Sequence, residues 1–269
     1  MGRIRVLNNR DFTLDKYGAL CKALKNSKYK IITFKEYFES KDKNNGYIII
    51  RHDVDENIKF SLDMAKVEYD YDVKATYYFR TIKKVYVPEI IDKIASFNHE
   101  IGYHYETLDK TKGNIELAIE LFSEELAKFR QRYIIKTVCM HGNPLSKYDN
   151  KKIWGKSKLS DFDLLGEPYL SLDYNKFAYF SDSGRTWNAD KNKIKDYVDT
   201  MNFKLVKVEN TDELIKVINE GCLENICILT HPERWSKNSV DYLTRYLIDL
   251  YYNIGKKVIK SFRGTQKNE

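Results

Sequence analysis

The chain has few of the residues that punctuate or staple a protein. Among 269 residues there are 4 cysteines, 4 prolines and 12 glycines. The cysteines, Cys21, Cys139, Cys222 and Cys227, form no Cys-x-x-Cys pair and show no secreted-framework spacing, which points to reduced thiols in a cytoplasm. No Pro/Gly/Ser-rich linker divides the chain, and no repeat with a period of about 20–50 residues is visible. One domain over residues 1–269, with 1–45 as a helical and strand lead-in, is the simplest reading. A run of about 18 apolar residues able to span a membrane is also missing. The basic residues Arg3 and Arg5 are not followed by the apolar stretch of a secretory signal, so a cytoplasmic protein is expected.

Charge of one sign is lacking too. The formal +7 arises from 46 basic and 39 acidic residues mixed along the chain. Short basic stretches such as Lys83–Lys84 read as solvated faces, and no zinc-finger, helix-turn-helix or RNA-binding aromatic pattern accompanies them. Nucleic acid is therefore not an expected partner.

What is present is an alternation of short apolar runs with amphipathic stretches, the signature of βα units around a parallel sheet. Strands are expected at Tyr47–Ile50, Ala75–Arg80, Glu100–Tyr105, Ile134–Met140, Leu164–Gly166, Phe177–Ser181 and Ile226–Thr230. Helices are expected from Asp11 to Ser27, over 56–70 with Ile58, Leu62, Ala65, Lys66 and Tyr69 at helical spacing, and over 87–97, 114–132, 211–221 and 239–254. The fold class is α/β, of barrel size.

Histidine is scarce, and its placement is informative. Of His52, His99, His104, His141 and His231, all but His99 sit at or just beyond the C-terminal end of an expected strand. In parallel α/β folds that end is where sites are built. In Arg51-His52-Asp53-Val54-Asp55, alternate side chains share a face, which puts Asp53 and Asp55 on the same side, about 7 Å apart, and His52 on the other in a packing role. Helix capping is the competing explanation for the two aspartates. The same parity pairs His104 with Glu106, and His141 follows a further strand. A carboxylate, an imidazole and a third nitrogen or oxygen ligand are what a catalytic metal with open positions for water needs.

These segments, in this order, resemble the polysaccharide deacetylase superfamily of NodB-homology, carbohydrate-esterase type. Asp53-Val54-Asp55 resembles its first motif, Gly102-Tyr103-His104 the first half of its second, Ser181–Trp187 its acidic, tryptophan-bearing segment, and Leu229-Thr230-His231-Pro232 its terminal motif. The resemblance implies an irregular (β/α)7-type barrel and a divalent metal, Zn first, with Ni, Co or Fe as alternatives. It implies Asp53 as catalytic base, Asp55 and His104 as metal ligands, and His231 as general acid, kept protonated by Glu233 or Asp182. Leu108 stands where the family has a second histidine, so the third ligand falls to His141, slightly preferred, or Glu106. Asp182, Arg185 and Trp187 would line the substrate groove. Trp187 and Trp235 could equally fill the core, and Arg185 could be a structural ion pair with Asp182 or Asp163. The implied reaction is removal of an N-acetyl group from an amino sugar or sugar precursor in surface-polysaccharide biosynthesis. Hydrolysis of another C–N bond, in a formamide or cyclic amide, and a non-catalytic carbohydrate binder are the alternatives.

Overall fold

The computed structural model describes residues 10–43, 46–143, 146–187, 206–248 and 250. Seven strands form one sheet with every pairing parallel: β1 (Lys30–Ile32), β2 (Tyr47–Val54), β3 (Thr76–Phe79), β4 (Glu100–Tyr105), β5 (Val138–Met140), β6 (Phe177–Ser181) and β7 (Asn225–Thr230). Their order is β5-β4-β3-β2-β7-β6, and the sheet curls into a half-barrel. The short β1 pairs with the first half of β2, and β3 takes over the same edge from Arg51 onward.

All eight residues of β2 are buried. A strand flanked on both edges and covered on both faces has no solvent side, which explains its near-continuous apolar run. Helices α1 (Leu14–Asn26), α2 (Phe34–Glu39), α3 (Ile58–Asp70), α4 (Pro88–Ser96), α5 (Thr107–Lys110), α6 (Ile115–Arg130), α7 (Pro168–Ser171) and α8 (Thr211–Glu220) fill the connections. Local chemistry sets their ends. Thr13, Asn57, Asn114 and Asn210 accept first-turn amides, and Gly221 closes α8 at φ 64°. Asn57 therefore caps α3, and the capping explanation for Asp53 and Asp55 is not needed.

Several expectations change. The stretch 134–140 keeps only Val138–Met140 as strand; Ile134 is 73% exposed, and Thr137 makes only an isolated bridge. The expected strand at 164–166 is a single bridge, Gly166 to Thr137, that extends the β5 edge. Helix α3 buries Ser61, Met64 and Glu68 beside Ile58 and Ala65, while Lys66 and Tyr69 face water. Its inward face is partly polar, so apolar spacing alone misplaces it. The last helix is described over residues 239–248, and 251–254 lie outside the described residues. No helix among the described residues is long and apolar enough to cross a membrane.

Gly102, the glycine of Gly-Tyr-His, has a packing reason. A Cβ there would lie 2.4 Å from two ring carbons of Tyr78, whose hydroxyl reaches over to donate to Thr137 at 3.0 Å. The ring can lie flat across β4 only because that residue has no side chain.

Candidate metal centre and acid–base pair

One regularity organises the site. The residue immediately after each of the six strands β2 to β7 is, in turn, Asp55, Arg80, Glu106, His141, Asp182 and His231. Parallel strands release their chains at the same rim, so six titratable side chains gather there.

Asp55 is at the centre. Its Oδ1 lies 3.3 Å from His104 Nε2 and 3.4 Å from His141 Nε2, and its Oδ2 lies 4.0 Å from His231 Nε2. Oδ1 is buried and accepts no hydrogen bond from the described residues. His104 is buried, and its Nδ1 donates to the Cys139 carbonyl at 2.9 Å, which leaves the Nε2 lone pair facing Asp55. In the neutral tautomer two lone pairs then face each other in a buried site, and a cation between them, a metal ion or a proton on Nε2, relieves the repulsion. The spacing fits: two ligands each about 2.05 Å from a tetrahedral zinc stand about 3.3 Å apart. Asp55, His104 and His141 can thus hold a metal ion. Burial raises the Asp55 carboxyl, but His141, with His104 and His231, outweighs it and holds the group well below the ordinary carboxylate range. Burial lowers His104, and Asp53 with Asp55 reverse this to a net rise. For His141 burial wins, and its pKa falls.

Asp53, Cys139 and His104 form a second group with ligand atoms in range. Asp53 is already engaged: Arg51 donates from Nε at 2.8 Å and from Nη2 at 2.7 Å, one bond to each carboxylate oxygen. A metal ion there would meet a buried guanidinium, so the Asp55 group is the better cation site. Asp53 Oδ2 stays 3.7 Å from His104 Nε2, beside the cup.

His231 is paired with a buried carboxylate. Its Nδ1 lies 2.6 Å from Asp182 Oδ1, and its backbone N–H donates to Asp182 Oδ2 at 2.9 Å. Arg234 and Trp235 Nε1 donate to the same carboxylate at 2.9 and 3.0 Å. Burial raises the Asp182 carboxyl, but His231 and Arg234 prevail and it ends below its ordinary value. Burial and Arg234 lower His231, whereas Asp182 and Asp55 raise it, and the net shift is upward. The carboxylate that serves His231 is therefore Asp182. Glu233 is pushed up to about 8 by burial and by Asp55, and its Oε2 is buried without a hydrogen-bond partner.

The expected site residues separate into two sets. Asp53, Asp55, His104, Glu106, His141 and His231 come together at one rim. Asp182 is fully buried behind His231, so it orients that ring and cannot line a groove. Trp187 is 1% exposed, donates to Thr211 at 3.0 Å and stacks on Phe12, so it packs in the core, as does Trp235. Arg185 lies over the Tyr242 ring and donates to the Arg234 carbonyl at 3.2 Å, which props the loop holding Asp182 and Arg234. Glu106 is gripped by Arg80 at 3.1 and 2.6 Å and is 3.4 Å from His141 Nδ1. Leu108 is buried in the apolar core, away from any ligand role. His52 faces the opposite side of β2, between Glu68 at 2.8 Å and Thr230 at 2.5 Å.

Arg51, Arg80 and Arg234 are the functional neighbours that sequence reasoning missed. The signal was available for one of them: Arg80 directly follows a strand, as other site residues do, whereas Arg234 stands three residues beyond His231. Comparison with protein-family models, with curated proteins and with solved structures finds no match.

Proposed function

We propose that the protein is a metal-dependent amidohydrolase that removes an N-acetyl group from an amino sugar or sugar precursor, on an irregular (β/α)7-type barrel. The observation that carries this reading is the buried Oδ1 of Asp55, undonated among the described residues, facing two imidazole nitrogens at 3.3 and 3.4 Å, with the His231–Asp182 pair on the same rim. The resemblance of the strand-end sequence motifs to carbohydrate deacetylases supplies the substrate class by analogy.

A divalent ion held by Asp55, His104 and His141, zinc by choice and Ni, Co or Fe as alternatives, would acidify a water and polarise the amide carbonyl. The remaining roles belong to the chain. Asp53, kept in place by the Arg51 fork, takes the proton of the attacking water. His231, kept protonated by Asp182, gives a proton to the nitrogen as the C–N bond breaks. Water and amide are thereby converted to acetate and free amine. Arg51 and Asp182 touch no substrate and act by fixing the base and the acid.

The test is amine release by the zinc- or cobalt-loaded protein from N-acetylated, N-formylated and cyclic-imide substrates, with metal analysis alongside. Asp53→Asn should keep its metal and lose turnover, and Asp55→Ala should lose both. Normal turnover by Asp53→Asn, or a wild-type protein that takes up no divalent ion, would overturn the proposal. Amine appearing only from a formyl or cyclic substrate would move the substrate class.

A further inference from the structure

We infer that Arg80 and Glu106 form a positioning clamp for the metal centre, with Glu106 orienting His141 and Arg80 fixing both Glu106 and the backbone of Asp55. The inference rests on the metal site proposed above and adds two residues outside its ligand set.

The geometry runs across four adjacent strand ends. Arg80, after β3, donates from Nε and Nη2 to the two oxygens of Glu106, after β4, at 3.1 and 2.6 Å. Its Nη1 donates to the backbone carbonyl of Asp55, after β2, at 2.7 Å. Glu106 Oε2 then stands 3.4 Å from Nδ1 of His141, after β5, while the opposite nitrogen of that ring faces Asp55 Oδ1 at 3.4 Å. Nδ1 of His141 is buried and has no hydrogen-bond partner among the described residues, so Glu106 is the carboxylate it faces. A carboxylate on that side favours the tautomer with hydrogen on Nδ1 and a lone pair on Nε2, the form a ligand must present. His104 has the same support from a different group, the Cys139 carbonyl.

The clamp also explains why Glu106 is not itself a ligand. Both of its oxygens are bonded to a guanidinium, and Lys110 lies 3.6 Å from Oε1. A carboxylate flanked by two cations has little to offer a third. Arg80 does this where a lysine could not, because only a planar fork spans both carboxylate oxygens and still extends a nitrogen to a carbonyl.

Charge and position predict opposite results, which makes the inference testable. Deleting a cation next to a metal site should, by electrostatics alone, tighten metal binding. Loss of a partner that orients a ligand typically weakens it by about 10–100-fold. Zinc affinity of the full-length protein can be measured by competition with a chromophoric chelator for wild type, Arg80→Gln, Arg80→Lys and Glu106→Gln, with thermal melts of the metal-free proteins as a folding control. The visible spectrum of the cobalt forms reports ligand geometry independently of activity. All three variants should bind zinc about 10–100-fold more weakly and show altered cobalt bands, and Arg80→Lys should not rescue despite its retained charge. Unchanged or tighter binding by folded Arg80→Gln would overturn the clamp while leaving the metal site intact. Should the wild type bind neither ion, both readings fall. If a variant's melt shows it unfolded, Arg80→Lys, the mildest change, decides the question.

Discussion

His231 Nδ1 sits 2.6 Å from an oxygen of Asp182, a carboxylate with no exposed surface and four donors converging on it. Such a carboxylate stabilises the imidazolium and leaves Nε2 as the only ring nitrogen able to reach a substrate.

Asp182→Asn should therefore lower turnover by about 10²–10⁴-fold without lowering metal content. The sign of the pH effect follows from charge. Asp182 raises the His231 pKa, so activity that needs protonated His231 persists to higher pH and is lost as pH rises through that value. In Asp182→Asn the alkaline limb should move to lower pH. A kcat/KM profile with that limb unmoved would remove His231 from the acid role.

The Arg51–Asp53 pair is buried on both sides, with side chains 0% and 4% exposed. Removing one partner leaves the other charge stranded, and Arg51→Met should cost about 3–5 kcal/mol of stability. Urea denaturation measures it. The double replacement Arg51→Met with Asp53→Leu should recover much of the loss, and a harmless single replacement would show that water reaches Asp53.

Glu68 is enclosed by Tyr17, Tyr77 and His52 at 2.6, 2.5 and 2.8 Å. Burial raises its carboxyl, yet His52 and the other partners bring it below its ordinary value. A depressed carboxylate contributes stability that is full above the unfolded value, about 4.3, and is lost as pH falls through the folded value. Glu68→Gln should cost about 1.5–3 kcal/mol near neutral pH, with the gap from wild type narrowing below about pH 4. Denaturation midpoints of both proteins across that range check it.

Leu108→His would extend the resemblance to a deacetylase motif without making a ligand. Position 108 lies in the apolar core, so the imidazole would be buried without partners. The expected result is a loss of about 1–3 kcal/mol and no gain in zinc affinity. Tighter zinc binding by this variant would mean that α5 turns to offer residue 108 to the rim.

The strand-end histidines and Asp53-Val54-Asp55 were legible because a parallel strand has period two and a defined exit, so identity and position together imply which face and which rim a side chain takes. β4 and β6 could be read to the residue for the same reason. The polar inner face of α3 was not legible, since Glu68 and Ser61 look like surface residues until His52, Tyr17 and Tyr77 are seen around them. Nor was the fate of Asp182 and Trp187, whose motif suggested a groove and whose side chains pack inward.

By itself the sequence determined the α/β class, the order of its units, and the placing of Asp53, Asp55, His104, Glu106, His141 and His231 at strand ends, because these follow from local periodicity and chain direction. Tertiary structure alone decided how those groups pair: Asp55, His104 and His141 within reach of one ion, Asp53 with Arg51, His231 with Asp182, and Glu106 with Arg80. That pairing depends on distances of 3–4 Å between residues as far apart as Asp55 and His231. Such distances are set by how the sheet curls and packs.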